Sequence, residues 1–517
     1  MIPRRERFDV AIAGGGHNGL TAAAYLARAG LSVVVLERLG HVGGAAVSAQ
    51  AFPGLPTRLS RYSYLVSLLP ALVVEELGLD VALASRSTSS YTPWSRDGVD
   101  GGLLVERPEG PATAASFRAL TGSEDEYAAW RAFYAEVESL ARVVAPTLTA
   151  PLPRAAALRS SVEPALWRDL VERPIGETIE RRFRDDVVRG VVATDALIGT
   201  FASLHDRSLI QNRCFLYHLI GNGTGEWRVP IGGMGAVTSA LARAASDAGA
   251  ELRTSTAVRA IEAEDDGARV LTDGGVVEAR FVLANVAPYV LAGLVGDEPP
   301  AKPVGAQLKV NVLLDRLPRL RSGADPRVAF AGTLHLGESA SELETAWRQA
   351  RDGALPDRLP GEVYCHSLTD PSILGDVPAG THTLTYFGLH TPSTLFDADP
   401  DAAGAEALER AIASLDEHLV DPIASVVARM PDGTPCLEAK IPQDVEADLA
   451  MPGGHIFHGD LAWPWAEDAE RLETPAEQWG VATAHPSVLL CGSGSRRGGA
   501  VSGLGGHSAA QALLASI

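Results

Sequence analysis

The sequence predicts an α/β chain whose first unit is interrupted by a second. Three observations carry this. A strand, glycine loop, helix and strand follow one another within the first 37 residues. A strand and glycine-rich loop recur in part near the C-terminus. Two long stretches of different character lie between these ends. With 517 residues the chain exceeds what one ordinary core accommodates.

Residues Phe8 to Ala13 read as a short buried strand, followed by a glycine turn and an alanine-rich helix from about Asn18 to Ala29, with Gly30 as its terminating glycine. Leu31 to Leu36 is a second apolar run, ending at Glu37, which completes a βαβ unit. A helix near Ala236 to Ala248, a strand near Ser255 to Ile261 and a hairpin (Ala268 to Thr272 and Arg280 to Ala284, turning at Asp273-Gly274-Gly275) extend the same unit. Val488 to Cys491, the loop Gly492 to Gly506 and a helix starting near His507 close it. Residues 90–225 are rich in helix formers with scattered prolines. Residues 305–450 mix strands (Leu308 to Leu314, Thr381 to Leu389) with a helix near Ala402 to Leu419. The expected division is therefore 1–90, 226–300 and 451–517 for the first domain, and 91–225 with 301–450 for the second.

Gly14-Gly15-Gly16-His17-Asn18-Gly19 matches the dinucleotide pattern GxGxxG. Gly14 permits the tight turn, Gly16 lets backbone approach a pyrophosphate, and Gly19 lets helix lie on strand. The helix start offers free N–H groups to phosphate, with His17 and Asn18 in its first turn. Glu37, 18 residues after Gly19, stands where a carboxylate binds ribose hydroxyls and rejects a 2′-phosphate, which disfavours NADP. A second glycine pair, Gly43-Gly44, six residues beyond Glu37, suits a cofactor long enough to pass a second loop, and this points to FAD rather than NAD.

Composition narrows the functional classes. Lys and Arg total 44 against 64 for Asp and Glu, a net charge of −20, which disfavours nucleic acid and broad docking on anionic membranes. A local apolar membrane contact and a homo-oligomer stay open. The four cysteines, Cys214, Cys365, Cys436 and Cys491, form no CxxC pair, so neither a dithiol redox centre nor a metal site is expected. The start, Met1-Ile-Pro-Arg-Arg-Glu-Arg, is basic without an apolar run after it, and no stretch reaches the roughly 18 uncharged apolar residues of a spanning helix. A cytoplasmic protein is the expectation.

The fingerprint with Leu20-Thr-Ala-Ala-Ala-Tyr-Leu26 after it, Val42-Gly-Gly-Ala-Ala46, Ala193 to Gly199, Gly232-Gly-Met-Gly235, Lys309 to Pro318, Gly453 to His458 and Leu490 to Gly494 together resemble the phytoene desaturase-related flavoproteins. That group holds carotenoid desaturases, flavin-type carotenoid ketolases and retinol saturase. The resemblance runs along nearly the whole chain. It implies a glutathione-reductase-type FAD domain, with FAD bound non-covalently, and a discontinuous substrate domain of amine oxidase or phytoene desaturase type. The cofactor residues it implies, beyond those of the fingerprint and Glu37, are Arg38, Gly43, Gly44, Ala45, Val258, Gly492, Ser493, Gly499 and Val501. The last loop departs from the relatives, which tend to read His-Pro-Gly-Gly-Gly-Val where this chain has Arg496-Arg497-Gly498-Gly499-Ala500-Val501, and Asn where it has Ser508.

Three residues are candidates for the chemistry. Lys309 is a charge out of pattern in the apolar run Gln307 to Leu314. A lysine at the matching place in flavin amine oxidases holds a water near flavin N5; an edge-strand lysine with its head in solvent would read the same way. Arg496 and Arg497 suit a clamp for an anionic group on a largely apolar substrate, although cofactor phosphates or the protein's own acids would serve them equally. The expected activity is hydride transfer from a small-molecule C–H to the flavin, with oxygen, a quinone or another carrier as final acceptor, since only one complete dinucleotide unit is present. Isomerisation or saturation without net oxidation, and a non-catalytic FAD-binding role, are the alternatives.

Overall fold

The computed structural model describes residues 5–264 and 266–517; the first four residues of the basic start lie outside them. Two seven-stranded sheets organise the chain. In the first, Arg5–Ala13 lies in parallel between Val33–Leu36 and Gly275–Ala284. Glu251–Arg253 extends one side in parallel. On the other, Gly275–Ala284 pairs in parallel with Val488–Leu490 and antiparallel with Gly267–Thr272, which turns back onto Val258–Glu264. Near-continuous apolar runs such as Val33–Leu36 are buried on both faces, as helices on both sides of a parallel sheet require.

The first helix, His17–Arg28, packs against Met234–Asp247 and against the C-terminal helix Leu504–Leu514. The second contact is backbone on backbone. A Cβ added to Gly506 would lie 1.9 Å from the carbonyl oxygen of Asn18. Glycine is needed because the helices meet there without intervening side chains.

The second sheet runs in the order Leu437–Lys440, Leu308–Leu314, His382–Gly388, Gly361–Tyr364, Thr333–Leu336, Thr88–Arg96, Val99–Glu106. Its strands are antiparallel except where Thr333–Leu336 meets Thr88–Arg96. The hairpin Thr88–Glu106 differs from the helix-rich reading of residues 90–225. It turns at Asp97-Gly98, both with positive φ (53° and 77°), the conformation of a tight two-residue hairpin loop. Beyond it the segment is helical, beginning with Pro111–Thr121 and the 20-residue Asp125–Val144. No helix among the described residues is long and apolar enough to cross a membrane, and all four cysteines are free and buried.

Replacing Gly506 by alanine should destabilise the protein by about 1–3 kcal/mol through overpacking. The same change at Gly293, a helical glycine with nothing within 4 Å of its would-be Cβ, should be neutral or stabilising by up to about 1 kcal/mol. Denaturant midpoints of the two variants test the contrast.

Candidate active site

The glycine loop is fixed before any ligand is considered. Gly14 (φ 102°) donates its N–H to Leu36, while its carbonyl accepts 2.9 Å from Asn285 Nδ2. A Cβ on Gly19 would sit 2.4 Å from the Gly14 carbonyl oxygen, so helix and loop touch through backbone atoms. Glu37 is buried and bridges: Oε2 accepts from Gly15 N–H at 2.7 Å and Oε1 from Leu39 N–H at 2.8 Å. Gly43 donates to the Gly15 carbonyl, which brings the second glycine pair against the first; a Cβ on Gly44 would lie 3.2 Å from Gly16 Cα.

These features open into one cavity of about 1190 Å³. Of the fifteen sequence-derived cofactor positions, Gly14, Gly16, His17, Glu37 and Arg38 line it at one end, with Gly44, Ala45 and Val258 beside them. Ser493 and Val501 line it from the C-terminal loop. Asn18, Gly19, Gly43, Gly492 and Gly499 do not line it; they shape the backbone behind. Gly499 faces Leu461, and Gly492 packs on Asn285. The first helix also grips the C-terminal loop. His17 Nε2 lies 3.0 Å from the carbonyl of Ala500, and Asn18 Nδ2 donates to that of Gly498 at 3.4 Å. Burial pushes the pKa of His17 down to about 4, so its neutral ring donates Nε2–H to Ala500. The narrow Gly16–Gly44 slot, the carboxylate at the second strand's end and the helix start fit an adenine dinucleotide: side chains at either glycine would fill the space its pyrophosphate takes.

Lys309 lies on the second strand of the second sheet, paired on both sides by His382–Gly388 and Leu437–Lys440, so the edge-strand alternative does not apply. Its Nζ faces the cavity, donates to the carbonyls of Ser60 (3.1 Å) and Tyr62, and stands 4.6 Å from the Tyr64 ring centroid. Burial holds its pKa well below the ordinary value, against the pull of Glu438. Tyr64, Tyr364 and Phe387 form an aromatic wall of the cavity, with Tyr64 and Tyr364 rings 4.6 Å apart. Sequence reasoning missed all three: Tyr364 and Phe387 stand on neighbouring strands of the second sheet, and Tyr64 reaches them from a loop some 300 residues earlier.

The two arginines expected to clamp an anionic group are held within the protein. Neither Arg496 nor Arg497 lines the cavity. Arg496 pairs with Glu470 (2.7 and 3.1 Å) and donates to the Trp465 carbonyl. Buried Arg497 donates through one Nη to the carbonyls of Thr147, Leu148 and Ala150 and lies over Trp479. The loop turns at Ala500, whose φ is 58°, and both guanidinium groups point into protein. Trp227, His218 and His458 also line the cavity, whereas Tyr217 donates its hydroxyl to the Arg496 carbonyl. The far end holds Arg86, Asp195, His335 and Glu362. Burial pushes the Asp195 carboxyl up to about 8.

Fold and site together define a flavin-containing oxidoreductase. A family model described as flavin containing amine oxidoreductase matches residues 19–313, more than half of the chain, and the chain belongs to that family. It is 51% identical to an uncharacterized protein of Mycobacterium tuberculosis (strain ATCC 25618 / H37Rv), covering 100% of this chain and 99% of that protein. It is 29% identical to pyridine nucleotide-disulfide oxidoreductase domain-containing protein 2 of Mus musculus, over 99% of this chain and 94% of the relative. Wild-type putrescine oxidase bound to putrescine superposes with a TM-score of 0.58 at 19% identity, 99% of each chain covered, a likeness of fold. The flavoprotein resemblance read from the sequence therefore holds.

Gly16 gives a clean test of the cofactor end. Its φ of −72° is open to any residue, and it faces the cavity. Gly16→Val should keep the circular dichroism spectrum and elution volume of the parent while flavin content falls about tenfold or more.

Proposed function

We propose that the chain is an FAD-dependent oxidoreductase, with FAD held non-covalently, that oxidises a small molecule at a C–H bond. The observation that carries this is the single cavity, continuous from the glycine loop and Glu37, past buried Lys309 and its aromatic wall, to a buried polar end. When bound, the isoalloxazine supplies a two-electron acceptor at N5, and oxygen, a quinone or another carrier takes the electrons onward. The chain's own residues do the rest.

The Gly16–Gly44 slot and Glu37 orient the nucleotide end. Tyr64, Tyr364 and Phe387 wall the reacting region and exclude water, which strengthens polar contacts inside it. Lys309 Nζ, anchored to the carbonyls of Ser60 and Tyr62, holds or moves a proton at the cavity surface. Two carbonyls and the Tyr64 ring face favour its ammonium form, but burial outweighs them, so the neutral amine is available at lower pH than for an ordinary lysine. Apolar stretches of the wall, among them Val105, Val137, Val191 and Ile198, suit a largely apolar substrate. Arg496 and Arg497 lie off this cavity and hydrogen-bond within the protein, Arg497 through one Nη only.

The purified protein should be yellow and release FAD on acid denaturation, identified by chromatography; release of FMN, or colour that stays with the precipitated chain, would refute the assignment. Anaerobic mixing with a substrate should bleach the flavin band lastingly. Lys309→Met should retain flavin and slow that bleaching about 10²- to 10⁴-fold, the range of a lost proton-transfer group. Because the lysine acts as a base in its neutral form, the parent rate should rise with pH through a limb below 10.5. That limb should be missing from the Lys309→Met profile.

A further inference from the structure

The far end of the cavity contains a grouping that the flavin reading does not use. His335 and Glu362 are direct cross-strand partners in the second sheet and both line the cavity. Just past the end of strand Thr333–Leu336 the chain turns at Gly337 (φ 59°) and places Glu338 behind them, before the capped helix Ala340–Arg351 begins. One donor atom from each of His335, Glu338 and Glu362 lies within 4.8 Å of the others, and all three residues are buried.

The hydrogen bonds leave this group short of positive charge. His335 Nδ1 lies 2.9 Å from Thr92 Oγ1, so an Nδ1–H donated to that hydroxyl leaves the Nε2 lone pair turned inward, 3.9 Å from Glu362 Oε1. Burial keeps the ring neutral, its pKa pushed down to about 3. Glu362 is served: Oε2 accepts from the Tyr364 hydroxyl and Oε1 from Thr194 Oγ1 at 3.4 Å. Thr194 has one proton to give, and neither oxygen of Glu338 has a hydrogen-bond partner, although the residue is only 1% exposed. Asp195 adds a third carboxyl nearby. Arg86 is the cation that faces the group, and it acts on Glu362 rather than on Glu338. A buried carboxylate with no donor and no counter-charge is costly to keep ionised.

We propose that His335, Glu338 and Glu362 form a binding site for a divalent first-row metal ion, held by one imidazole nitrogen and two carboxylates. That donor set suits Zn²⁺, Mn²⁺ or Fe²⁺ and lacks the thiolates of a softer site. Thr92 fixes the ring in the manner typical of a ligating histidine. A single ion fits better than a substrate ammonium group. Glu338 does not line the cavity, and a monoatomic cation passing between His335 and Glu362 reaches it where an alkyl-bearing one does not. The positions left open on the ion face the cavity and would take water or an oxygen donor of the substrate.

The test uses the full-length flavoprotein. It is stripped with EDTA, incubated separately with Zn²⁺, Mn²⁺ and Fe²⁺ (the last anaerobically), desalted, and analysed for metal by mass spectrometry and for melting temperature. The expected result is stoichiometric retention of at least one of these ions and a melting temperature that rises with it. Glu338→Gln and His335→Gln should lose the retained metal and its thermal effect while the flavin band stays unchanged. Thr92→Val should weaken metal binding about ten- to a hundredfold. Because Glu338→Gln removes an unpaired carboxylate, it should fold at least as stably as the parent in EDTA, which keeps the comparison valid. No stoichiometric retention of any of the three ions by the parent would overturn the proposal. So would equal retention by parent and variants, or stabilisation of the parent by alkylammonium ions and not by metal.

Discussion

The structure depends on a layer of bare backbone at the heart of the first unit. Gly14 and Gly19 bring strand, loop and helix to distances that a Cβ would prevent, Gly16 and Gly44 face each other across a tight slot, and Gly506 closes the first helix onto the last. Because those helices touch, the C-terminal loop can reach the first: His17 holds Ala500 and Asn18 holds Gly498. Residues nearly 500 positions apart thus share one cavity wall. A side chain on Gly14, Gly19 or Gly506 would separate the helix from the backbone that faces it, so the shape of the cofactor end follows from them.

Lys309 is where the second unit is tied to the first. Its strand is interior to the second sheet, yet its two carbonyl partners come from Ser60 and Tyr62, on the segment leading away from the first. The same segment adds Arg61 on Glu438 and Tyr62 on Asp448. The lysine is thereby fixed at the join between units, and its chemistry follows from the balance there. Carbonyls and a ring face favour the charged form, loss of water opposes it, and loss of water wins.

Local signals were legible in the sequence and long-range ones were not. The fingerprint, Glu37, the strand Leu308–Leu314 and the hairpin ending at Ala284 depend on neighbours in sequence, and each lies where periodicity and turn chemistry put it. Asp97-Gly98 carried a hairpin signal of the same kind, but the proline in Thr88–Arg96 and the two glycines in Val99–Glu106 masked the strands around it. Tyr364 with Phe387, like His335 with Glu362, meet through strand pairing, and Tyr64 joins them from a distant loop, none of which their own segments specify. In Gln307 to Leu314 a charge breaking an apolar run marked Lys309, while the choice between a buried and an edge-strand lysine waited on the pairing of its strand. No such break marks Glu338, which follows a glycine at a strand's end and reads as an ordinary surface turn.

The setting of Arg496 follows from the composition, whereas that of Arg497 follows from local backbone. Acids outnumber bases 64 to 44 in this chain, so a guanidinium group meets a surplus of internal partners before any ligand arrives. Arg496 finds Glu470 bidentately, and Arg497 takes three carbonyls left pointing outward by the turn after helix Asp125–Val144. Bidentate or multiple charge-assisted bonds within a fixed framework require no ligand ordering, so they outcompete a transient anion. The surplus that remains is negative, and part of it gathers around the far end of the cavity in half-buried Asp195 and buried Glu338 and Glu362. Carboxyls there must be protonated or matched by a cation, and an anionic group brought among them would add repulsion to desolvation.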